Sequence, residues 1–382
     1  MSGLHNARQA GPFWLRRFSL LAAGVRANRD SPDPAALLAL EPAEAFVWGV
    51  LPHAARSFAP CIIALPSSMA LSAALGYLYC RILDTHEDLV ADAGQRHKAL
   101  EHLTLRLTAL REGRDPGEAP SVTHECSDPR DEVHSLIAGE LPRLDPLFLG
   151  LNEDVQGLII DLVSDMSRGM IWAAKTFDEQ GGVLVSDSQL RRYCEAVLGN
   201  PIRFAARLFA LTERGIRSLP AELETACMDV GEFLQLANVT RDIEKDLARG
   251  VAYDVALDPK RGLVTDEELA RAVRDVRARL LVRALDRAPS YEALVDGLSL
   301  KRGWMNASSL LMARFTERYY LGCADRVGLS TGERQSPSRV LLSCWPALLS
   351  SSWASKKLAE ITLNLKRLRA EVLNQTSSMK AS

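Results

Sequence analysis

Two features of this sequence predict an all-α fold. Alanine, leucine, arginine and glutamate are abundant, whereas valine and isoleucine do not alternate with polar residues over any long run, so helices are favoured over strands. Apolar residues amount to 47% and charged residues to 25%, which is the balance of a soluble globular protein. The 382 residues suffice for one large or two ordinary domains around a sizeable core.

The apolar periodicity divides most of the chain into helices. A proline should end the first of them at Pro52, and Pro201 should kink a later one at Gly199-Asn200-Pro201. The predicted helices cover residues 35–51, 69–90, 94–111, 132–138, 155–176, 188–211, 231–246, 266–285, 291–300, 305–320 and 355–374.

Charge and cysteine content exclude several classes of protein. The formal charge of −2 gives no reason to expect nucleic-acid binding. The cysteines are scattered and none forms a CxxC motif, so we expect reduced core residues in a cytoplasmic protein without a secretory signal. The apolar run from Val340 to Trp353 is too short to span a bilayer. A docked helix is favoured there, with peripheral contact to a membrane surface as the alternative, and nothing indicates the oligomeric state.

A polar stripe follows the apolar stretch from Gly231 to Asp246. At about 100° per residue, Gln235, Asn238, Asp242 and Asp246 fall within roughly 80° of one another on a helix. The residues between them are mostly apolar, so the stripe must face either solvent or a polar cavity. Carboxylates are rarely buried unless a cation pairs with them.

A second stripe has the same character, with Tyr77, Arg81, Asp84 and Asp88 within roughly 60° on one helical face. If the two helices face each other, four aspartates converge. Such oxygen ligands suit Mg²⁺, which prefers one or two carboxylates plus substrate phosphates to a full protein cage. The alternative for either stripe alone is a solvated helix face, which the presence of two stripes makes less favoured.

A cavity of this kind suits a substrate with a diphosphate head and a hydrocarbon tail. Mg²⁺ would neutralise the departing diphosphate, and the remaining allylic cation would need a dry cavity and aromatic faces. Arg56 and Ser57 precede an apolar helix and can meet an anion there, although Ser57 as a plain helix cap is the alternative. The cations available for the diphosphate are Arg56, Arg81, Arg241 and Arg249. The candidate aromatic residues are Phe58, Tyr77, Tyr193 and Phe204.

Four segments, in the right order, resemble the squalene/phytoene synthase family. ARSFAPCIIAL resembles the early SRSFA segment, and YLYCRILDTHED the first aspartate motif. YCEAVLG resembles the YCxxVAG segment, and LQLANVTRDIEKDLARGVAY the QLxNxxRDxxED…RxY motif. The similarity spans roughly His53 to Tyr253. It implies a single all-α isoprenoid synthase domain, a helical bundle around a central apolar cavity.

The resemblance also implies roles for individual residues. Tyr193 matches the tyrosine proposed as acid/base in the first half-reaction of the family. Two or three Mg²⁺ ions, bound with substrate diphosphate, would be held by Asp84, Asp88, Asn238, Asp242 and Asp246. The diphosphate would contact Arg56, Ser57, Tyr77, Arg81, Gln235, Asn238, Arg241, Arg249 and Tyr253. The apolar cavity would be lined by Phe58, Leu198 and Phe204.

Three departures from the family pattern bear on the reaction. Asn200, Pro201 and Ile202 stand where small residues are usual, which narrows or bends one wall. The segment associated with the NADPH step is replaced by WMNASS at 304–309, so use of NADPH is not expected. The basic run after it retains only Arg326, which weakens the case for a second diphosphate substrate.

The leading hypothesis is a Mg²⁺-dependent transferase that joins a prenyl diphosphate donor to a second prenyl diphosphate, giving a cyclopropyl or phytoene-like product. One alternative delivers the prenyl group to an aromatic acceptor, and another is a terpene cyclase. A non-catalytic helical scaffold is less favoured, because a scaffold has no physical reason to keep four carboxylates in an apolar wall.

The two stripes also bear on domain organisation. Residues 112–131 are rich in Pro, Gly, Ser and Asp, which is typical of a loop. We interpret them as an insertion rather than a domain boundary, because the stripes lie on either side of them and need each other. The prediction is an N-terminal arm at 1–34, one helical domain at 35–330, and a loop with a basic amphipathic helix at 331–382.

Overall fold

The all-α prediction is confirmed by the computed structural model of the chain. The structure describes residues 13–27, 31–90, 92–120, 129–258, 265–300, 303–331 and 334–381. Within these ranges the backbone is helical or irregular, apart from an isolated β-bridge between Val183 and Ala252. The six cysteines placed there are all free and buried.

The helices are numbered in chain order. Those of the first half are α1 (Phe13–Arg26), α2 (Pro34–Leu38), α3 (Ala43–Ala55), α4 (Phe58–Ile63), α5 (Ser67–Leu89), α6 (Ala93–Arg111), α7 (Pro129–Gly139), α8 (Asp145–Leu149) and α9 (Glu153–Gln180). Those of the second half are α10 (Asp187–Cys194), α11 (Asn200–Arg214), α12 (Ala221–Ala248), α13 (Asp266–Asp286), α14 (Ala288–Gly297), α15 (Gly303–Arg326), α16 (Pro337–Ser343) and α17 (Ser351–Ala381).

Two central helices, α5 and α12, carry the polar stripes. Helix α5 packs against α3, α6, α7, α9 and α11, while α12 packs against α11, α13, α14 and α15. Both helices bury apolar residues on more than one side, which is expected of a helix inside a bundle. Each stripe is therefore a line of polar side chains along a helix whose apolar residues are largely buried.

The ends of the described chain pack onto the same core. In α1, Arg17 is buried and donates hydrogen bonds to the carbonyl oxygens of Ile63 (3.0 Å) and Leu65 (2.7 Å). Its guanidinium lies 3.8 Å from the ring centroid of Trp304. Helix α17 contacts α13, α14 and α15. Loop residues 112–120 are not helical, and residues 121–128 of the predicted insertion lie outside the described residues.

The predicted break at Pro52 is wrong. Pro52 lies inside α3, which continues to Ala55 and is buried on both sides of the proline. A proline in a helix costs one hydrogen bond and some steric strain, and here burial of the surrounding apolar side chains outweighs that cost. The chain leaves the helix at Arg56, where φ is +47°.

The predicted kink at residues 199–201 is replaced by a π-helical turn over Glu195–Gly199, directly between α10 and α11. Pro201 occupies the first turn of α11, where its missing N–H costs little. The turn lies directly against α12 at Gly231. A Cβ added to Gly231 would lie 2.3 Å from Gly199 Cα, so the site has no room for a side chain. Glycine at this position thus allows a close backbone approach, and π turns are frequent at functional sites.

Candidate active site

A cavity of about 450 Å³ lies between the two polar stripes. Both stripes line it, so they face each other across a shared cavity. The site residues named from the sequence that line this cavity are Arg56, Ser57, Phe58, Tyr77, Arg81, Asp84, Asp88, Tyr193, Gln235, Asn238, Arg241, Asp242, Asp246, Arg249 and Tyr253.

Along α5, Arg81 contacts two other residues of the stripe, Tyr77 and Asp84. Arg81 Nη2 donates to the Tyr77 hydroxyl at 3.1 Å, and that hydroxyl donates to the Ala54 carbonyl oxygen at 3.1 Å. Arg81 Nη1 lies 3.1 Å from Asp84 Oδ2. Burial raises the pKa of Asp84 to about 6, against the opposing effect of Arg81 and with a contribution from Asp88.

Along α12, Asp242 is paired with Arg241, whereas Asp246 has no ion pair among the described residues. Arg241 Nε donates to Asp242 Oδ1 at 2.8 Å, and Asn238 Nδ2 donates to Gln235 Oε1 at 3.1 Å. Burial raises the pKa of Asp246 to about 7, and repulsion from Asp242 and Asp88 adds to the shift. Since Asp88 belongs to α5, the two stripes interact electrostatically across the cavity.

An ion pair also connects the stripes. Arg249, directly after α12, places Nη1 at 3.4 Å from Asp88 Oδ2 and Nη2 at 4.0 Å from Asp131 Oδ2. Asp131 belongs to α7, so the guanidinium joins three parts of the chain at one end of the cavity. Arg249 and Asp88 are both partly exposed, so a ligand bound in the cavity could reach them.

Two tyrosines from distant segments meet at another wall. The hydroxyl oxygens of Tyr193 and Tyr253 are 3.2 Å apart, and Phe177 lies edge-on to both rings. Burial raises the pKa of each phenol well above its usual value, so both are neutral at neutral pH. Tyr253 is placed by a backbone hydrogen bond from Ala252 N to Gly182 O at 2.8 Å.

The Arg56–Ser57 segment enters the cavity between α3 and α4. The Ser57 side chain makes no capping hydrogen bond to α4, so its interpretation as a plain helix cap is wrong. It accepts a hydrogen bond from the Tyr319 hydroxyl at 3.1 Å instead. Arg56 has a left-handed φ of +47°, a strained conformation that the surrounding structure must maintain.

Leu198 and Phe204, expected to line the apolar part of the cavity, are not among its lining residues. Phe204 packs beside α5 instead, with its ring 2.7 Å from where a Cβ on Gly76 would lie. The π turn presents Val197 to the cavity in place of Leu198, because residues in a π turn project at different angles from those of an α-helix.

Sequence reasoning missed several lining residues: His53, Glu87, Asp131, His134, Lys245 and Tyr319. Glu87 had a signal, since it lies inside the first aspartate motif. Burial raises the pKa of Glu87 well above its usual value, with Asp88 and Asp84 contributing. Asp131 follows a long loop and Tyr319 lies in a distant helix, so no local pattern connects either residue with the stripes.

A second cavity, of about 760 Å³, adjoins the first behind the tyrosine pair. The two cavities share the residues Glu87, Asp88, Asp131, Tyr193, Arg249 and Tyr253. Its remaining walls come mainly from Arg96, from the end of α9 and from Gly250–Val251. Arg96 is itself paired with Asp178 at 3.1 Å.

The donor set fits Mg²⁺ only together with a phosphate ligand. Among the described residues, no three His, Cys, Asp or Glu side chains lie close enough to hold a metal ion. Mg²⁺ bound by one or two carboxylates, waters and phosphate oxygens needs no such cluster. Arg81 Nε is buried and has no hydrogen-bond partner in the described part of the chain, which leaves one donor for an anion.

The fold and the cavity together define the class as an all-α protein with carboxylates facing each other across an internal cavity. Residues 51–321 match the family model for squalene/phytoene synthase, and since this is well over half of the chain, the chain belongs to the squalene/phytoene synthase family. Members of this family are prenyl-transferring enzymes that use divalent metal ions with prenyl diphosphates.

Individual relatives are distant. The chain is 29% identical to the Botryococcus squalene synthase of Botryococcus braunii over 234 residues, covering 60% of this chain and 43% of the relative. It is 28% identical to phytoene synthase of Cereibacter sphaeroides over 260 residues, covering 65% and 61% respectively. The chain thus spans between two fifths and about three fifths of the length of these relatives.

Solved structures confirm the predicted helical-bundle fold. A ligand complex of TcSQS superimposes with a TM-score of 0.63 at 16% identity, covering 87% of this chain and 98% of the other. A second ligand complex of TcSQS gives a TM-score of 0.60 at 14% identity, with coverage of 89% and 100%. Within the described residues, no helix is both long and apolar enough to cross a bilayer.

Proposed function

We propose that the protein is a Mg²⁺-dependent prenyltransferase that couples two prenyl diphosphates head to head, without a reduction by NADPH. The observation that carries this proposal is the pairing of the stripes: Asp88 of α5 contributes to the raised pKa of Asp246 in α12. Carboxylates that repel one another across a cavity are stabilised by a divalent cation between them.

In the proposed reaction, the C1–O bond of the donor breaks and its electron pair leaves with diphosphate. The C2=C3 double bond of the second substrate attacks the allylic cation. Loss of a proton from the former donor C1 then closes a cyclopropane ring. Bound Mg²⁺ supplies charge neutralisation for the leaving diphosphate. Arg81, whose Nε has no partner within the described chain, and Arg56, which also lines the cavity, would hold the diphosphate oxygens.

Tyr193 is proposed to handle the proton. Its phenol is neutral because burial raises its pKa well above the usual value. It can accept a proton only if its own proton moves on at the same time. The Tyr253 hydroxyl at 3.2 Å and the departed diphosphate are the two acceptors within reach of such a relay.

A second candidate is transfer of the prenyl group to an aromatic acceptor. The second cavity favours it, because its aromatic residue Phe177 lies behind Tyr193 and Tyr253. Its two arginines are each paired with an aspartate, Arg96 with Asp178 and Arg249 with Asp88. The positive charges in this cavity are thus already compensated by the protein, which favours a neutral acceptor there over a second diphosphate.

Contact with a membrane surface and a cytoplasmic location stay predictions. Leu349 is 93% exposed, and Phe18, 50% exposed, stacks on Trp345 with ring centroids 5.3 Å apart. Exposed apolar and aromatic groups of this kind suit an interfacial contact. Cosedimentation with liposomes tests this, and a Phe18→Ser variant that sediments as well as the wild type would contradict it.

The function is tested by incubating the protein with Mg²⁺ and with geranyl, farnesyl or geranylgeranyl diphosphate, each alone and without NADPH. Diphosphate release and extractable products are both followed. We expect a product of doubled chain length from one substrate. A cyclic product of single length indicates a cyclase. Thermal stabilisation by Mg²⁺ and substrate without release indicates a donor waiting for an acceptor, and the absence of both effects contradicts the proposal.

A further inference from the structure

An ionic network outside the cavity surrounds Glu232, a carboxylate on α12 that is completely buried. Glu232 precedes Gln235 of the stripe by one helical turn but does not line the cavity. Its Oε1 accepts a hydrogen bond from Arg283 Nε at 2.8 Å and lies 2.7 Å from Nη2 of the same residue. Arg287 Nε lies 3.1 Å from Oε2.

The same guanidinium holds the start of α10. Arg283 Nη1 donates to Asp187 Oδ1 at 2.8 Å, and Nη2 donates to the Asp187 carbonyl oxygen at 3.0 Å. Arg283 belongs to α13, so one planar group connects α10, α12 and α13. The flat fork of arginine can serve two partners in this way, whereas the ammonium of lysine is a point charge.

A second arginine of α10, Arg191, is attached to the same network. Arg191 donates from Nε to Glu195 Oε1 at 2.8 Å and from Nη2 to Asp229 Oδ1 at 3.1 Å. Asp229 in turn lies 3.6 Å from Arg287 Nη1. Ionic contacts to α12 and α13 therefore hold α10 at two points before Tyr193, at Asp187 and at Arg191.

Such a network is a poor device for stability alone, because the desolvation of buried charges largely cancels their attraction. Its geometric effect is larger, since reacting groups displaced by about 1 Å can lose about 100-fold in rate. We propose that Arg283 is a positioning residue, which sets the place of the Tyr193 hydroxyl by holding α10 against Glu232. This inference rests on the proposed function of Tyr193.

The first test is the Arg283→Lys variant, which keeps the positive charge but cannot grip Asp187 and Glu232 together. We expect turnover to fall about 10-fold, with little change in KM. The matched control is Arg106→Lys. Arg106, which is buried, also serves two partners, with Nη2 at 2.5 Å from Asp145 Oδ2 and Nη1 at 2.6 Å from the Gly117 carbonyl oxygen. R106K should lower Tm without lowering turnover per folded molecule.

A double-mutant cycle tests whether Arg283 acts through Tyr193. R283K should lower turnover in the wild-type background but have almost no further effect on turnover in the Tyr193→Phe background. The hydroxyl that Arg283 positions is already absent there. If the two effects multiply, Arg283 acts elsewhere and the inference is wrong. Should R283K fold poorly, the double variant Glu232→Gln with Arg283→Gln removes the buried carboxylate together with the arginine charge that compensates it, and serves in the same cycle.

A readout without turnover separates this inference from the proposed function. With tyrosine labelled with ¹³C at Cζ, the NMR signal lost in Y193F identifies Tyr193. R283K should shift that signal and R106K should leave it in place. A shift in a protein that releases no diphosphate would support the positioning and contradict the function. An unmoved signal in R283K overturns the positioning, whatever the activity.

Discussion

The aspartate stripes of α5 and α12 resemble each other in sequence but differ in how their charges are compensated. In α5, Asp84 is paired with Arg81 of its own helix, and Asp88 is paired with Arg249 from the end of α12. In α12, Asp242 is paired with Arg241, whereas Asp246 makes no ion pair within the described chain. Burial raises the pKa of both Asp246 and Asp84. The pKa of Asp246 is the higher, about 7 against about 6 for Asp84, whose charge Arg81 stabilises.

This difference indicates where positive charge is missing. Three of the four aspartates are compensated by arginines, and the uncompensated one is repelled by carboxylates from both helices. A divalent cation would relieve that repulsion, and it would arrive most readily with a diphosphate that also engages the arginines. The following predictions test whether the two stripes act as one site.

The largest effect is expected from neutralising one aspartate in each stripe. Asp84→Asn and Asp242→Asn should each lower diphosphate release at least about 100-fold, equivalent to about 3 kcal/mol, because each removes a ligand for the cation. The control is Asp154→Asn, which removes one partner of an exposed ion pair with Arg217. Unchanged diphosphate release by either variant, measured with folded protein, would show that the stripe carrying that aspartate does not bind the cation.

A smaller loss is expected at the tyrosine that lies between the stripes and the second cavity. Tyr193→Phe should slow product formation about 100-fold and leave the thermal stabilisation by Mg²⁺ and substrate nearly intact. Tyr291→Phe is the control, since this buried hydroxyl donates to the Ser309 carbonyl oxygen at 2.8 Å away from the cavity. Equal losses of binding and turnover in Y193F would reduce its role to packing.

The difference between Asp246 and Asp84 should also appear as a pH dependence of stability. The pKa of Asp246 is raised from its ordinary value of 3.8 to about 7, so the folded state favours the protonated carboxyl. That contribution is complete below about pH 4 and is lost as the pH rises through about 7. Without metal, Tm should therefore fall by about 2–5 °C between pH 5.5 and 8.

Asp246→Asn should remove much of this decrease in Tm. Asp84→Asn should have less effect on the decrease above pH 7, because the pKa of Asp84 is about 6. Mg²⁺ with diphosphate should bind more tightly as the pH rises, because the ligating carboxyl must lose its proton. The measurement is thermal unfolding in EDTA and in Mg²⁺ with diphosphate across this pH range. A Tm that does not change with pH in EDTA would contradict the raised pKa of Asp246.

The smallest effect is expected beside α5, at Phe204. Because its ring packs on Gly76 of α5 and does not line the cavity, Phe204→Leu should cost about 1 kcal/mol of unfolding free energy without changing product length. Urea unfolding and product analysis test this. Phe58→Leu is the comparison, since Phe58 lines the cavity and its shortening should alter the products. A changed product length in F204L would show that Phe204 does line the cavity.

Local pattern was enough to predict the helical class and the faces of α5 and α12, because both follow from the period of apolar and polar residues. It was not enough at Pro52 or at Pro201, where packing and a π turn accommodated residues that disfavour helix. Asp131 and Tyr319 could not be predicted either, since their place in the cavity depends on how α7 and α15 dock.

The sequence by itself therefore determined the two stripes and the residues that compose them, since side chains one turn apart on a helix share a face wherever that helix lies. Only the tertiary structure decided that the stripes face each other, that Arg249 reaches Asp88, and that Glu232 is buried against Arg283. These facts depend on distances between helices far apart in the chain, and the period of a single helix carries no information about its neighbours.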